Sequence, residues 1–231
     1  MEHVFENNLL FCREPNVILI MALGKGMLPK VLHKLDDIPL IVHVVNSALQ
    51  IDDTSIIYIV DGKIEKAVIT NRRVKYIDQG TGNDIREVLQ QYERSSKVLI
   101  LSGDVPLFST ENMREILNRP FKATIVTTSL DEPFGYGRII GSRIVEEKDC
   151  TDDEKLVKTV NCGIYAFENE TLCKNLPYIM NDNAQKEYYL TSIFLFVSGK
   201  IGFFDIPAEK QYQVRGINTP EQLEEMRSKT V

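Results

Sequence analysis

The segment Ser102-Gly103-Asp104-Val105-Pro106 follows directly on an apolar run, residues 97–101. A carboxylate at the end of a strand is placed to hold magnesium, which takes few protein ligands and completes its octahedron with water and phosphate oxygens. Taken alone, Asp104 could equally cap the next turn. A second loop, Ala22-Leu23-Gly24-Lys25-Gly26-Met27-Leu28-Pro29-Lys30, follows another apolar run at residues 16–21. Glycines there let the backbone approach a polyphosphate so that N–H groups face its oxygens, while Lys25 and Lys30 neutralise charge. Gly-Lys-Gly is common in ordinary turns and lacks the Walker A spacing, so this loop by itself reads as a turn. Together the two loops point to phosphate chemistry assisted by a divalent cation.

The elements that would carry these loops alternate regularly. Strands are predicted over 16–21, 55–60, 74–77 and 97–101, and helices over 40–50, 63–70, 83–92 and 109–118, the last capped by Ser109 or Thr110. Continuous apolar strands separated by amphipathic helices imply a mainly parallel sheet covered on both faces, a doubly wound α/β fold. In such sheets ligands bind beyond the carboxyl ends of the strands, where both loops lie. From residue 120 the rhythm changes. Strands at 123–129, 138–140, 144–146, 159–166 and 200–206 come with fewer helices, which predicts mixed pairing in the second half. A helix over 219–228, with Thr219 as N-cap and Pro220 at its first position, closes the chain.

At 231 residues the chain suits one domain, residues 16–231, preceded by an extension at 1–15 without periodicity. Its 43% hydrophobic and 26% charged residues mark a folded chain rather than a disordered one. A net charge of −6 with interspersed signs gathers no phosphate polymer, which argues against nucleic acid as a partner. No apolar stretch is long enough to span a bilayer, and residues 1–8 are acidic where a signal peptide would be basic, so a cytoplasmic location without membrane attachment is expected. Cys12, Cys150, Cys162 and Cys173 form no Cys-x-x-Cys pair and read as reduced thiols.

A collinear set of motifs makes the reading more specific. Ala22–Gly24, then 28–33 (Leu-Pro-Lys-Val-Leu-His), Gly80-Thr81-Gly82, Gly103-Asp104-Val105-Pro106-Leu107 and Gly135-Tyr136-Gly137-Arg138-Ile139 occur in that order. Val145-Glu146-Glu147-Lys148-Asp149, Asn161-Cys162-Gly163-Ile164, residues 183–191 and Gly216-Ile217-Asn218 continue it. In order and approximate spacing the series resembles the uridyltransferase domain of the bacterial bifunctional N-acetylglucosamine 1-phosphate enzymes. The resemblance implies a Rossmann-like nucleotide-diphospho-sugar transferase fold and a magnesium-dependent nucleotidyltransferase. Its substrates would be UTP and N-acetylglucosamine 1-phosphate, and its products UDP-N-acetylglucosamine and pyrophosphate. It further implies that Ala22, Leu23, Gly24, Lys25, Lys30, Lys75, Gly80, Thr81 and Gly103 line the nucleotide pocket. Lys30 and Asp104 would serve catalysis, Asp104 and Asn218 would ligate Mg2+, and Gly137, Glu146 and Asn161 would hold the amino sugar.

The chain departs from that pattern in three places. The first loop is shorter and has no arginine, with Arg138 and Lys75 as candidate replacements. Lys75 stands where the family has a glutamine facing the base, and Asp78-Gln79 replaces its Gln-Leu. Hexapeptide repeats of a left-handed β-helix are absent, so no acetyltransferase activity is expected. Three alternatives accompany the reading: a pyrophosphorylase for another base or sugar 1-phosphate, a nucleotide-sugar-binding protein with little or no turnover, and a purely structural α/β interaction module, which would leave Asp104, Glu146, Asn161 and Asn218 as coincidence.

Overall fold

The computed structural model describes residues 14–22, 30–60, 69–77 and 83–217, together with Gln222 and Glu224. Five successive apolar residues form β1 (Val17–Met21), and their side chains alternate between the two faces of the sheet. Ile18 and Ile20 pack on one face with α1 (Leu40–Leu49) and α3 (Thr110–Leu117). Val17 and Leu19 pack on the other with α2 (Asn83–Leu89) and α5 (Asn169–Asn175). Burial on both faces is what a continuous apolar strand requires, and each fully buried Val, Leu or Ile contributes about 1.5–3 kcal/mol.

Next to β1 lie β4 (Ile56–Val60) and β6 (Lys97–Ser102), both parallel to it, with β5 (Val74–Ile77) parallel to β4 at the edge. The order β5-β4-β1-β6 places the chain's reversal of direction across the sheet between β1 and β6. Beyond β6 the pairing becomes mixed. There β10 (Thr159–Glu168) runs antiparallel to β6 and to β7 (Ala123–Ser129), and β11 (Ile201–Ile206) runs parallel to β7. A hairpin of β8 (Arg138–Ile140) and β9 (Arg143–Val145) pairs with β10 through Val160 and Arg138.

The mixed, mainly parallel architecture agrees with the sequence reading, as do most strand positions and the cap by Ser109, whose side chain accepts from the Asn112 N–H at 3.2 Å. Several expectations need correction. Residues 61–68 lie outside the described residues, and Ile69 and Thr70 are irregular, so no helix reaches residue 70. Helix α2 stops at Leu89 instead of residue 92. The reason is distant in sequence: Asn169 Nδ2 donates to the carbonyls of Leu89, Tyr92 and Glu93, satisfying the C-terminal acceptors in a turn. Of the expected closing helix, Gln222 and Glu224 are helical and the remaining residues lie outside those described.

Other elements were not predicted. Between β1 and α1 sits a two-residue hairpin, β2 (Lys34–Leu35) with β3 (Ile38–Pro39), whose turn residues Asp36 and Asp37 both have positive φ, 50° and 63°. Short α4 (Asp152–Lys155) starts with a capping box of Thr151 and Glu154. Cys150 and Cys162 are buried free thiols and Cys173 is partly buried and free; Cys12 lies outside the described residues. No helix among the described residues is long and apolar enough to cross a membrane.

Candidate active site

At the switch between β1 and β6 the two strand ends are held together by backbone. Met21 pairs with Ser102, the Gly103 N–H donates to the Met21 carbonyl at 2.9 Å, and the Ala22 N–H donates to Val60 at 3.0 Å. A side chain at residue 103 would be tightly confined. A Cβ there would lie 3.1 Å from Val31 Cγ1 and 3.2 Å from the Met21 carbonyl oxygen. Val31 belongs to the 3-10 turn Lys30–Leu32, so its contact with Gly103 sets the backbone of Lys30 beside the end of β6. Asp104 follows, and Ser102 Oγ donates to its Oδ1 at 2.6 Å.

The carbonyl of Asp104 accepts from the Ile217 N–H at 3.0 Å. Ile217 is fully buried with Leu35 and Leu40, and Leu107 packs against them. A residue 113 positions further along the chain is thereby fixed at the Asp104 loop, and Asn218 is its neighbour in sequence. Asn218 itself lies outside the described residues, as do Leu23, Gly24, Lys25, Gly80 and Thr81.

The second part of the site is built by β8, β9 and β10. Because β10 runs antiparallel to β6, its first residues lie at the edge where β6 ends. The pairing of β10 with β7 is irregular between Asn161 and Tyr165, and Gly163 takes a φ of 71°. Such bulges turn a strand locally and re-aim its side chains. Here Asn161 Oδ1 accepts from the Gly163 N–H at 3.0 Å and Asn161 Nδ2 donates to the Tyr165 hydroxyl at 2.7 Å. The Asn161 N–H donates to the Gly137 carbonyl at 2.9 Å. A Cβ on Gly137 would meet Ile144 Cγ2 at 3.0 Å and Glu146 Oε2 at 3.4 Å. Gly137, Glu146 and Asn161, spread over 25 residues, therefore form one cluster.

Thr191 completes it. It sits on the 3-10 segment Leu190–Leu195, held in place by buried Ile193 and Phe194, and its hydroxyl donates to Glu146 Oε1 at 2.7 Å. Burial pushes the Glu146 carboxyl above its ordinary value; the Thr191 hydrogen bond opposes that shift and nearby Asp149 adds to it. Tyr136 directly precedes Gly137 in the chain. Burial raises its phenol, the Arg215 guanidinium opposes the rise, and Cys162 and Asp104 reinforce it.

Two residues occupy places that the sequence did not suggest. Lys75 is on the edge strand β5, two residues before its carboxyl end, with Nζ 3.4 Å from the Tyr58 hydroxyl and 5.4 Å from the Tyr58 ring centroid. Arg138 is buried, with 2% of its side chain exposed, and pairs with Glu147 at 2.8 Å. Glu147 also accepts from the Gly135 N–H, so Arg138 braces the loop 133–137 from below instead of presenting a cation to solvent. Sequence reasoning did not single out Thr191, whose hydroxyl reaches Glu146, although it lies within the motifs that prompted the resemblance. A cavity of about 560 Å³ lined by Asn16, Asp52, Ser96 and Arg114 opens at the opposite edge of the sheet and shares no residue with this site.

No family model matches the chain. It is 34% identical over 240 residues to a probable UDP-N-acetylglucosamine pyrophosphorylase of Acanthamoeba polyphaga mimivirus, covering 91% of this chain and 94% of that protein. To the bifunctional protein GlmU of Thermoanaerobacter pseudethanolicus it is 37% identical over 228 residues, covering 90% of this chain and 49% of the relative. The chain spans about half the length of the GlmU proteins it matches. Among solved structures, a CMP:2-keto-3-deoxy-manno-octonic acid synthetase complexed with CTP superposes with a TM-score of 0.65 at 18% identity, covering 94% of this chain and 98% of the other. A 4-diphosphocytidyl-2C-methyl-D-erythritol synthase from Anaerococcus prevotii gives 0.67 at 17%, with the same coverage. These structures share the fold.

Proposed function

Because the chain belongs to the family of UDP-N-acetylglucosamine pyrophosphorylases, which matches half of each bifunctional GlmU protein, we propose that it transfers UMP from UTP to N-acetylglucosamine 1-phosphate in the cytoplasm. The observation that supports this reading is the antiparallel pairing of β10 with β6, which puts the start of β10, with Asn161 bonded to Gly137 and Gly137 against Glu146, at the end of the sheet where Asp104 follows β6. A carboxylate for a cation and a polar, half-buried cradle for a sugar are the two recognition elements that such a reaction needs.

In the reaction a phosphate oxygen of the sugar 1-phosphate attacks the α-phosphorus of UTP. The bond from that phosphorus to the bridging oxygen of the β-phosphate breaks, and the electron pair leaves with pyrophosphate. No covalent intermediate with the protein is required, so catalysis consists of alignment and charge stabilisation. Glu146 accepts from sugar hydroxyl or amide groups, and Thr191 holds the carboxylate in orientation for it. Asn161, itself fixed by Tyr165 and Gly163, offers its amide edge. Lys30, beside Gly103, and Lys25 neutralise phosphate charge.

The residues present fit a magnesium ion. Among those described, no group of three or more His, Cys, Asp or Glu side chains gathers to hold a metal. Magnesium, which keeps several waters and takes phosphate oxygens, suits a site with one or two hard protein oxygens. Asp104, oriented by Ser102, and Asn218 would hold it, and when bound it would neutralise charge on the reacting phosphates.

A pyrophosphate-release assay with each of the four nucleoside triphosphates against a panel of sugar 1-phosphates tests the proposal. The fastest release is expected with UTP and N-acetylglucosamine 1-phosphate, it requires magnesium, and Asp104→Asn lowers it by about a hundredfold or more. Release that is indifferent to magnesium and to Asp104 would remove the cation assignment. Tight binding of UDP-N-acetylglucosamine without any release would identify a binding protein.

A further inference from the structure

Gly137, Glu146 and Asn161 each stand one residue from the same rung of the sheet. Arg138 on β8 pairs in register with Val145 on β9 and with Val160 on β10. Gly137 precedes Arg138, while Glu146 and Asn161 follow its two partners, so the cradle is the end of a three-stranded ladder centred on Arg138. On the β10 side the backbone closes that end, because the Asn161 N–H reaches the Gly137 carbonyl at 2.9 Å. On the β9 side the ladder stops at Val145, and Glu146 leads into the 3-10 turn Glu147–Asp149. There a different link is needed to keep Glu146 against Gly137.

The Arg138 side chain supplies it. Its Nη1 donates to the Tyr136 carbonyl and lies 2.8 Å from Glu147 Oε2, and that same carboxylate oxygen accepts from the Gly135 N–H at 3.2 Å. Gly135 and Tyr136 are thereby tied to the residue that follows Glu146. The turn also reaches the segment that leads to Thr191: Lys148 Nζ donates to Gln185 Oε1 at 2.7 Å, and Asp149 Oδ1 accepts from the Ala184 N–H at 2.9 Å.

Stability alone does not account for this arrangement. Arg138 is buried and Glu147 partly so, and Arg138 Nε has no hydrogen-bond partner among the described residues. A buried ion pair loses in desolvation much of what it gains in attraction, and apolar side chains of similar volume often stabilise a fold as well or better. Building on the proposed reaction, we infer that the Arg138–Glu147 pair is a clasp that positions the amino-sugar cradle. Both are positioning residues: they act through Gly137 and Glu146, and they serve the sugar 1-phosphate and the sugar half of the product, not the nucleotide.

Replacing both members, Arg138→Met with Glu147→Leu, removes the clasp and fills its space. The double variant should melt close to the parent, whereas each single replacement strands the other charge and melts lower. With both substrates varied, its KM for N-acetylglucosamine 1-phosphate should rise about tenfold or more and its KM for UTP change less than about threefold, because displacing a positioned group by about 1 Å is enough for such a loss. Glu147→Gln keeps the shape and an acceptor for the Gly135 N–H but not the charge; it should show the same split at smaller amplitude, and it tests the clasp even where the double variant does not fold. Isothermal titration in the presence of magnesium provides a readout without turnover: both variants should bind UDP-N-acetylglucosamine more weakly than the parent and UDP equally well. An active parent whose variants keep its KM for the sugar phosphate, or lose UTP affinity as much as sugar phosphate affinity, overturns the clasp. A parent that releases no pyrophosphate from any pair of substrates overturns the proposed function instead.

Discussion

Glu146 illustrates a residue whose environment opposes its charge. Its carboxyl is raised above the usual 4.5 because burial costs more than the Thr191 hydrogen bond returns, with Asp149 nearby adding repulsion. A carboxyl that is raised on folding keeps its proton in the native state at pH values where the unfolded chain has lost it. Stability therefore declines as pH rises from 4.5 through the raised value and stays reduced at neutrality. Glu146→Gln removes that charge while keeping the shape and an acceptor for Thr191. The variant should melt higher than the parent at pH 7, and the gap should close as pH falls below about 4.5. Its KM for N-acetylglucosamine 1-phosphate should rise by about tenfold, the usual cost of a lost charged hydrogen bond. Melting curves across pH combined with kinetics at pH 7 check both. A gap that widens on acidification would mean that the carboxylate is stabilising.

The loop after β6 makes a close approach that leaves little room for any side chain at residue 103. Gly103 is wedged between Val31 and the Met21 carbonyl, with an N–H that already bonds to that carbonyl. The flanking strands cannot part without breaking the pairing of Met21 with Ser102. Gly103→Ala should therefore cost about 1–3 kcal/mol, typical of overpacking, and displace Asp104 relative to the turn that begins at Lys30. Turnover should fall by more than the stability loss explains, since misplacement of about 1 Å can cost two orders of magnitude. Urea unfolding and kcat measured on the same preparation separate the two effects. Unchanged turnover would show that the strand ends accommodate the methyl group without moving Asp104.

Across the whole molecule, the site is assembled from parts distant in sequence, and Ile217 is the tie between the first and last of them. It seals the small cluster of Leu35 and Leu40 and anchors the Asp104 backbone. Ile217→Ala leaves a cavity there and is expected to destabilise the fold by about 2–5 kcal/mol. At a temperature well below its melting point, the variant should still show weakened magnesium dependence, because the segment leading to Asn218 is no longer pinned against Asp104. A variant that loses stability but keeps the parent's magnesium response would confine Ile217 to packing.

The parallel half of the sheet was legible because its strands are apolar throughout and its helices periodic, a local pattern that any window of sequence displays. Asp104, Glu146 and Asn161 could be singled out as candidates because they sit in short motifs in a recognisable order. Other features were decided by contacts between distant residues. The end of α2 is set by Asn169, 80 residues beyond Leu89. The orientation of Glu146 is set by Thr191, 45 residues away, and the loss of Arg138 as a free cation is set by the burial of its ion pair with Glu147. A sequence lists which side chains could bear charge or donate a bond. Whether each one faces solvent, a partner or a ligand depends on which backbone segments the sheet brings within about 3 Å of one another, and that is decided only when the chain has folded.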